Sequence, residues 1–178
     1  MRQIFLTIAF SYLIVLPATA AKTVDAVWKE QEIDFTFISL ETAYSCELME
    51  GRIEMLLRHV GAADVDVTVP SCNAFTDPRR QLRVMASFST LVPAGNGDVD
   101  IIKAAWSEVE LDKRHPRSLN DRDCELLEQF QKYVLSTIEH EVIEGMLECS
   151  ATRRSITGRL KVKVLKAVAV DDTAETDE

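Results

Sequence analysis

Hydrophobic and polar residues first fall into a clear pattern at residues 33–37. Ile33, Phe35 and Phe37 are separated there by Asp34 and Thr36, the period-two signature of a strand with one buried face. Residues 21–31 read as a polar lead-in carrying Trp28. After a turn over 39–45 the period becomes helical. Met49, Ile53, Leu56, Leu57 and Val60 fall on one stripe, and Glu47, Glu50, Arg52, Glu54 and Arg58 on the other. Thr42 or Ser45 is placed to cap this helix at its start, and Gly61 supplies the positive φ that helix ends favour.

Alternation then returns. Val65, Val67 and Val69 predict a second strand, and Leu82, Val84, Ala86 and Phe88 a third, after a polar turn around Asp77-Pro78-Arg79-Arg80. Pro93-Ala94-Gly95-Asn96-Gly97-Asp98 is a loop. Residues 101–111, with Trp106, predict a fourth strand, Glu108 and Glu110 facing outward, and an exposed basic loop follows around Pro116. A second helix starts near Asn120, with Asp121, Asp123 and Glu125 suited to the positive end of its dipole. Its stripe is Leu126, Leu127, Phe130, Val134 and Ile138. Residues 142–149 suit an extended return, and residues 155–168 a last strand with Ile156, Leu160, Val162 and Val164 inward.

The order strand, helix, three strands, helix, strand predicts an α+β fold. The simplest version is an antiparallel sheet of about five strands with two helices on one face, a split β-α-β, ferredoxin-like arrangement. No internal repeat shows beyond the two helix openings, each of which carries a cysteine, Cys46 and Cys124. With Cys72 and Cys149 the chain has four cysteines, an even number that predicts two disulfides in an oxidising compartment. Four cysteines allow three connectivities, and spacing does not choose among them. Cys46 with Cys72 and Cys124 with Cys149 is favoured, because the first two lie at one edge and residues 142–149 can fold back.

The ends of the chain change the picture of where it works. Arg2, an apolar run over 4–16, Pro17 and Ala18-Thr19-Ala20 have the layout of a cleaved signal peptide spanning residues 1–20. No later apolar run approaches the roughly 20 residues of a membrane span. The expected product is periplasmic or secreted, with no membrane insertion after cleavage. It comprises a single domain over 32–169 and a disordered acidic tail over 170–178. The formal charge is −9, and loss of Arg2 with the leader makes it one unit more negative. This argues against nucleic acid and anionic lipid as partners.

Candidate chemistry is sparse. No Gly-x-Ser-x-Gly elbow, C-x-x-C pair or phosphate-binding glycine loop occurs. The histidines are His59, His115 and His140, and His140-Glu141-Val142-Ile143-Glu144 is one histidine short of a zinc-protease helix. No cofactor, metal or catalytic residue is expected. Arg153, Arg154, Arg159, Lys161 and Lys163 form a basic strand face that reads as solvated, or as a dock for an anionic partner or for the acidic tail.

Tyr44-Ser45-Cys46, Trp28-Lys29-Glu30-Gln31-Glu32 and Asp123-Cys124-Glu125-Leu126 resemble a family of small, uncharacterised exported proteins of Gram-negative bacteria. In that family a strand ends in Tyr-Ser-Cys and a later helix opens on Asp-Cys-Glu-Leu. Here Cys46 is followed by Glu47-Leu48 where the family pattern has Asp-Gly. The resemblance implies a periplasmic location and a shared cysteine framework, and no activity. The expected function is a non-catalytic binding or scaffolding domain for an envelope or extracellular protein. The alternative is a thiol-redox enzyme or carboxylate-based hydrolase.

Overall fold

A computed structural model describes residues 22–70, 78–112, 114–150 and 155–168. The signal segment, the acidic tail, Cys72, Arg153 and Arg154 lie outside the described residues. The fold is α+β. Strand β1 (Thr23–Ile38) leads into helix α1 (Cys46–His59), and β2 (Ala63–Thr68), β3 (Gln81–Pro93) and β4 (Ile102–Leu111) follow. Helix α2 (Cys124–Gln129) is preceded by a 3-10 turn (Asp121–Asp123), widens into a π turn (Phe130–Val134) and tightens into another 3-10 turn (Leu135–Thr137). Strands β5 (His140–Glu144), β6 (Glu148–Ser150), β7 (Ser155–Thr157) and β8 (Leu160–Ala167) complete the chain.

Six strands form one sheet in the order β2-β3-β1-β4-β8-β5, and every pairing in it is antiparallel. The sheet thus has six strands, where the sequence predicts about five. The sixth strand is β5, beyond the end of the second helix, and residues 23–31 lengthen the first strand as the first half of β1 and are not a lead-in. Ala26 to Ile38 pair continuously with Pro93 to Gln81 of β3, and Thr23 to Ala26 pair with β4. Pairing with β3 holds Lys29, Glu30 and Glu32 in a strand although their side chains favour water.

Both helices cover one face of the sheet. Ile33, Phe35 and Phe37 of β1 and Leu82, Val84, Ala86 and Phe88 of β3 pack with Val109 and Leu111 of β4 and Leu160, Val162 and Val164 of β8 in one core. From α1 that core takes Met49, Ile53, Leu56 and Leu57, and from the α2 region Leu126, Leu127, Phe130 and Val134. Each large aliphatic or aromatic side chain so buried contributes about 1.5–3 kcal/mol. Ser45 caps α1 by accepting from Leu48 N at 3.3 Å. At the other end Gly61 takes φ 91°, and Gly61 N and Ala62 N donate to Arg58 O and Leu57 O. This closes the helix with the left-handed residue its sequence predicts.

The topology repeats. β1 and β2 are both antiparallel to β3, which lies between them, and so run parallel, joined through α1. β4 and β5 stand in the same relation around β8, joined through α2. β1 and β4 form the seam between these halves through the pairs Thr23–Ala105 to Ala26–Ile102. Leu82, Val84 and Ala86 of β3 are matched by Leu160, Val162 and Val164 of β8, at the same spacing that separates Cys46 from Cys124.

The last strand is not continuous. Gly158, at φ 103°, divides β7 from β8, opposite Gly145, at φ 82°, which divides β5 from β6. The paired break turns the hairpin β6–β7 away from the main sheet. It brings Cys149 to Cys124, with Cα atoms 5.6 Å apart, in a disulfide. The bond spans a sequence separation of 25 and contributes about 3 kcal/mol by restricting the unfolded chain. Cys46 is also disulfide-bonded.

Candidate binding surface on the uncovered sheet face

Period two places the even-numbered residues of β1 opposite the core. Val24, Ala26, Trp28, Glu30, Glu32, Asp34 and Thr36 therefore share the face that no helix covers among the described residues. Register carries this face across the sheet. Leu91, Ser89, Ser87, Met85 and Arg83 of β3 stand opposite Trp28, Glu30, Glu32, Asp34 and Thr36. Ile102 and Ala104 of β4 stand opposite Ala26 and Val24, and Trp106 stands opposite Leu165 of β8.

The centre of this face is apolar. Ala26, Leu91, Ala104 and Leu165 are buried in a small second cluster with Val24 and Ile102 packed against it, separate from the main core. Trp28 and Trp106 extend from it on either side of the seam and remain 42% and 37% exposed. Met85 is similarly open. Indole rings held on small side chains and left half in water are groups that interfaces favour, because they offer large apolar area with little side-chain entropy to lose.

The charges flanking this centre differ between the halves. On the β4-β8-β5 side, Lys163 stands between Glu108 and Glu141 and lies 3.4 Å from the Glu141 carboxylate. Arg159 reaches Glu110 and Glu144 at 3.3 and 3.7 Å, and Lys161 reaches Glu144 at 3.8 Å. The described part of the basic strand face read from the sequence, Arg159, Lys161 and Lys163, is thus matched by a row of carboxylates. On the β1-β3-β2 side of this face Asp34 is paired with Arg83, and that guanidinium holds the Asp34 carboxyl below the usual range. Glu30, Glu32 and Asp66 have no ion-pair partner among the described residues. A depression of about 430 Å³ lies here, lined by Glu32, Asp34, Asp66, Thr68, Met85 and Ser87 among others.

Two other places bring chemical groups together. A cavity of about 740 Å³ lies beside the Cys124–Cys149 disulfide, between the β1–α1 turn and the start of α2, with Arg80, Arg122, Glu125 and Glu128 on its walls. Of these four groups, Glu125 is committed to structure. The Glu125 carboxylate accepts from the Ser39 hydroxyl and from Leu40 N, the latter at 3.0 Å. Behind it Tyr44 donates to Asp123 Oδ1 at 2.9 Å, and Asp123 Oδ2 accepts from Asn120 N and lies 3.6 Å from Arg52. Burial, then the neighbouring Asp123 charge, pushes the Tyr44 phenol well above its ordinary range, so it serves as a neutral donor at any physiological pH.

The second is a cluster of Glu110, Asp112 and His115, whose ligand atoms lie within 4.8 Å of one another. It is explained by the turn it stabilises. Asp112 Oδ1 accepts from Arg114 N, His115 N and the His115 ring at 2.6, 2.7 and 3.0 Å, while Glu110 is held by Arg159. Burial raises the Asp112 pKa, but these bonds outweigh it and hold the carboxyl below its usual range. His59 Nε2 meets Glu110 O at 2.9 Å, within the last turn of α1, and His140 Nδ1 meets Ile138 O at 2.8 Å. Neither joins the cluster.

Of the residues singled out in the sequence, Cys46 and Cys124 sit at corresponding helix openings, Cys149 lies in β6, and Trp28 and Trp106 share one face. The acid row of β1 passes unnoticed in the sequence, where Glu30 falls in the polar lead-in and Asp34 in the first strand; the excess of alternating carboxylates over cations at 30–34 is the signal that marks it. No protein-family model, curated protein or solved structure matches this chain.

Proposed function

We propose that this protein is a non-catalytic binding domain of the cell envelope that docks a protein partner on the uncovered face of its sheet. The observation that carries this reading is the apolar centre of that face, where Trp28 and Trp106 stand half-exposed beside Met85, with no element of the described chain packed over them. Work outside the cytoplasm is supported by the disulfide of Cys124 with Cys149 and by the signal-like layout of residues 1–20. A split β-α-β reading of each half is supported by the parallel course of β1 and β2 around β3, and of β4 and β5 around β8.

The test is retention of envelope proteins on immobilised mature protein, compared among three chains. Trp28→Ser with Met85→Ser is expected to keep the thermal transition and to lose the retained partner. Val142→Ser, an equally exposed change on edge strand β5, is expected to lose nothing. Equal retention by all three would overturn the reading.

A further inference from the structure

In each half, one residue of the middle strand stands in register between two acids. In the β4-β8-β5 half, Lys163 is registered between Glu108 and Glu141. In the β1-β3-β2 half, Ser87 is registered between Glu32 and Asp66, which have no ion-pair partner among the described residues. One half is thus acid–lysine–acid across three strands, and the other acid–serine–acid. Neighbouring strands lie about 4.8 Å apart, so Glu32 and Asp66 flank a gap of roughly 10 Å over a small hydroxyl, wide enough to admit an ammonium or guanidinium group. The 430 Å³ depression occupies that gap.

We propose that this gap receives a lysine or arginine side chain from an extended basic segment of a partner protein, a cation set between two acids as Lys163 is set between Glu108 and Glu141 in the other half. The proposal rests on the uncovered face being the docking surface, and it assigns the partner's chemistry. Side chains on one face of an extended segment repeat every 6.5–7 Å or so, the same repeat that separates Trp28, Glu30 and Glu32 along β1. A segment with cations at alternate positions therefore meets Glu32 and Asp66 with one, Glu30 with the next and the face of Trp28 with a third, where the ring attracts a cation. Met85 offers apolar surface to an arginine or lysine stem. The negative net charge of the chain favours the approach of such a partner.

The test uses the mature chain, labelled with ¹⁵N, whose two tryptophans give two indole N–H signals that report on the two halves separately. It is titrated with an eight-residue peptide of alternating arginine and serine, and separately with matched peptides carrying glutamate or valine for arginine. The expected result is saturable shifts of the Trp28 indole and of residues 30, 32, 66 and 87 with the arginine peptide alone, weakened by salt. Ser87→Lys, which supplies the missing cation in place, is expected to weaken that binding at least tenfold while leaving the Trp106 indole and the fold unchanged. Glu32→Gln with Asp66→Asn is expected to do the same. Shifts of Trp28 with the valine or glutamate peptide, and none with arginine, would overturn the assigned chemistry and leave the docking face standing. No shift with any peptide, together with unchanged partner retention by the Trp28 and Met85 variants, would overturn both.

Discussion

Among single residues, Tyr44 carries the sharpest prediction. Its ring meets Phe37 edge-on with centroids 5.3 Å apart, and its hydroxyl donates to Asp123, joining the start of α1 to the turn that opens α2. Removing the hydroxyl in Tyr44→Phe leaves Asp123 Oδ1 without that donor and should cost about 1–3 kcal/mol in urea unfolding at neutral pH. The pH dependence has a definite sign. Below the ordinary phenol pKa of 10.0 both folded and unfolded chains keep the proton, so Tyr44 adds no slope. Above it the unfolded chain releases the proton and the folded chain does not, which favours unfolding by up to about 1.4 kcal/mol per pH unit. The urea midpoint of the native chain should therefore fall faster between about pH 10 and 11 than that of Tyr44→Phe. Parallel curves would show that Tyr44 ionises in the folded state as readily as in water.

Within the elements, the glycine pair of the long hairpin is the most constrained feature. A Cβ on Gly145 would lie 1.8 Å from Arg159 O, and one on Gly158 would lie 2.3 Å from Met146 O. Both contacts are to backbone, which cannot move aside, and both residues have positive φ. Gly145→Ala should cost at least about 2 kcal/mol, from backbone strain and steric displacement together. Gly51→Ala, in open space on α1, should be neutral or stabilising by up to roughly 1 kcal/mol. Thermal melts of the two variants separate these outcomes, and equal melting points would deny Gly145 its role. The same comparison extends to the bond the hairpin delivers. Cys124→Ala with Cys149→Ala should lose about 3 kcal/mol without changing the sheet, seen as a lower melting point with an unchanged far-ultraviolet spectrum.

These elements also show what was legible in the chain. Period two at 33–37 and 82–88 and the stripe of α1 announce themselves, because one face of each is buried and the other wet. The first half of β1 does not, because its strand character comes from pairing with β4 at 23–26 and with β3 from 26 onward, while its even positions change from apolar at 24–28 to acidic at 30–34. The α2 stripe is legible too, since Leu126, Leu127, Phe130, Val134 and Ile138 are all buried. Its passage from α to π to 3-10 geometry leaves no mark in the order of residues. The binding face is the least legible, because it is assembled by register between β1, β3 and β2, and a registered neighbour has no fixed distance in sequence.

For the whole molecule, the question is how two halves of like topology hold together as one fold. Pairing across the seam is short, four residue pairs between β1 and β4, and the seam is reinforced from both faces. On the helix side a single core draws on α1, α2 and strands of both halves. Ile38 adds a cross-link, since its N–H donates to Gln129 Oε1 at 3.0 Å and its carbonyl accepts from Gln129 Nε2 at 2.6 Å. On the uncovered side Ala26, Leu91, Ala104 and Leu165 close over the seam. The repeat escaped the sequence because the halves share spacing and polarity at a few positions and little identity, with a longer connection from β4 to α2 than from β1 to α1. If the core is shared as these contacts require, the halves cannot melt apart. Leu165→Ala empties a site in the second cluster and should cost about 2–4 kcal/mol while the chain still unfolds in one transition. Emission from Trp28 and Trp106 should shift to the red in step with loss of helix signal. A variant whose tryptophans become wet first, with the helices still formed, would mean that the seam opens by itself and that the two halves are separate folding units.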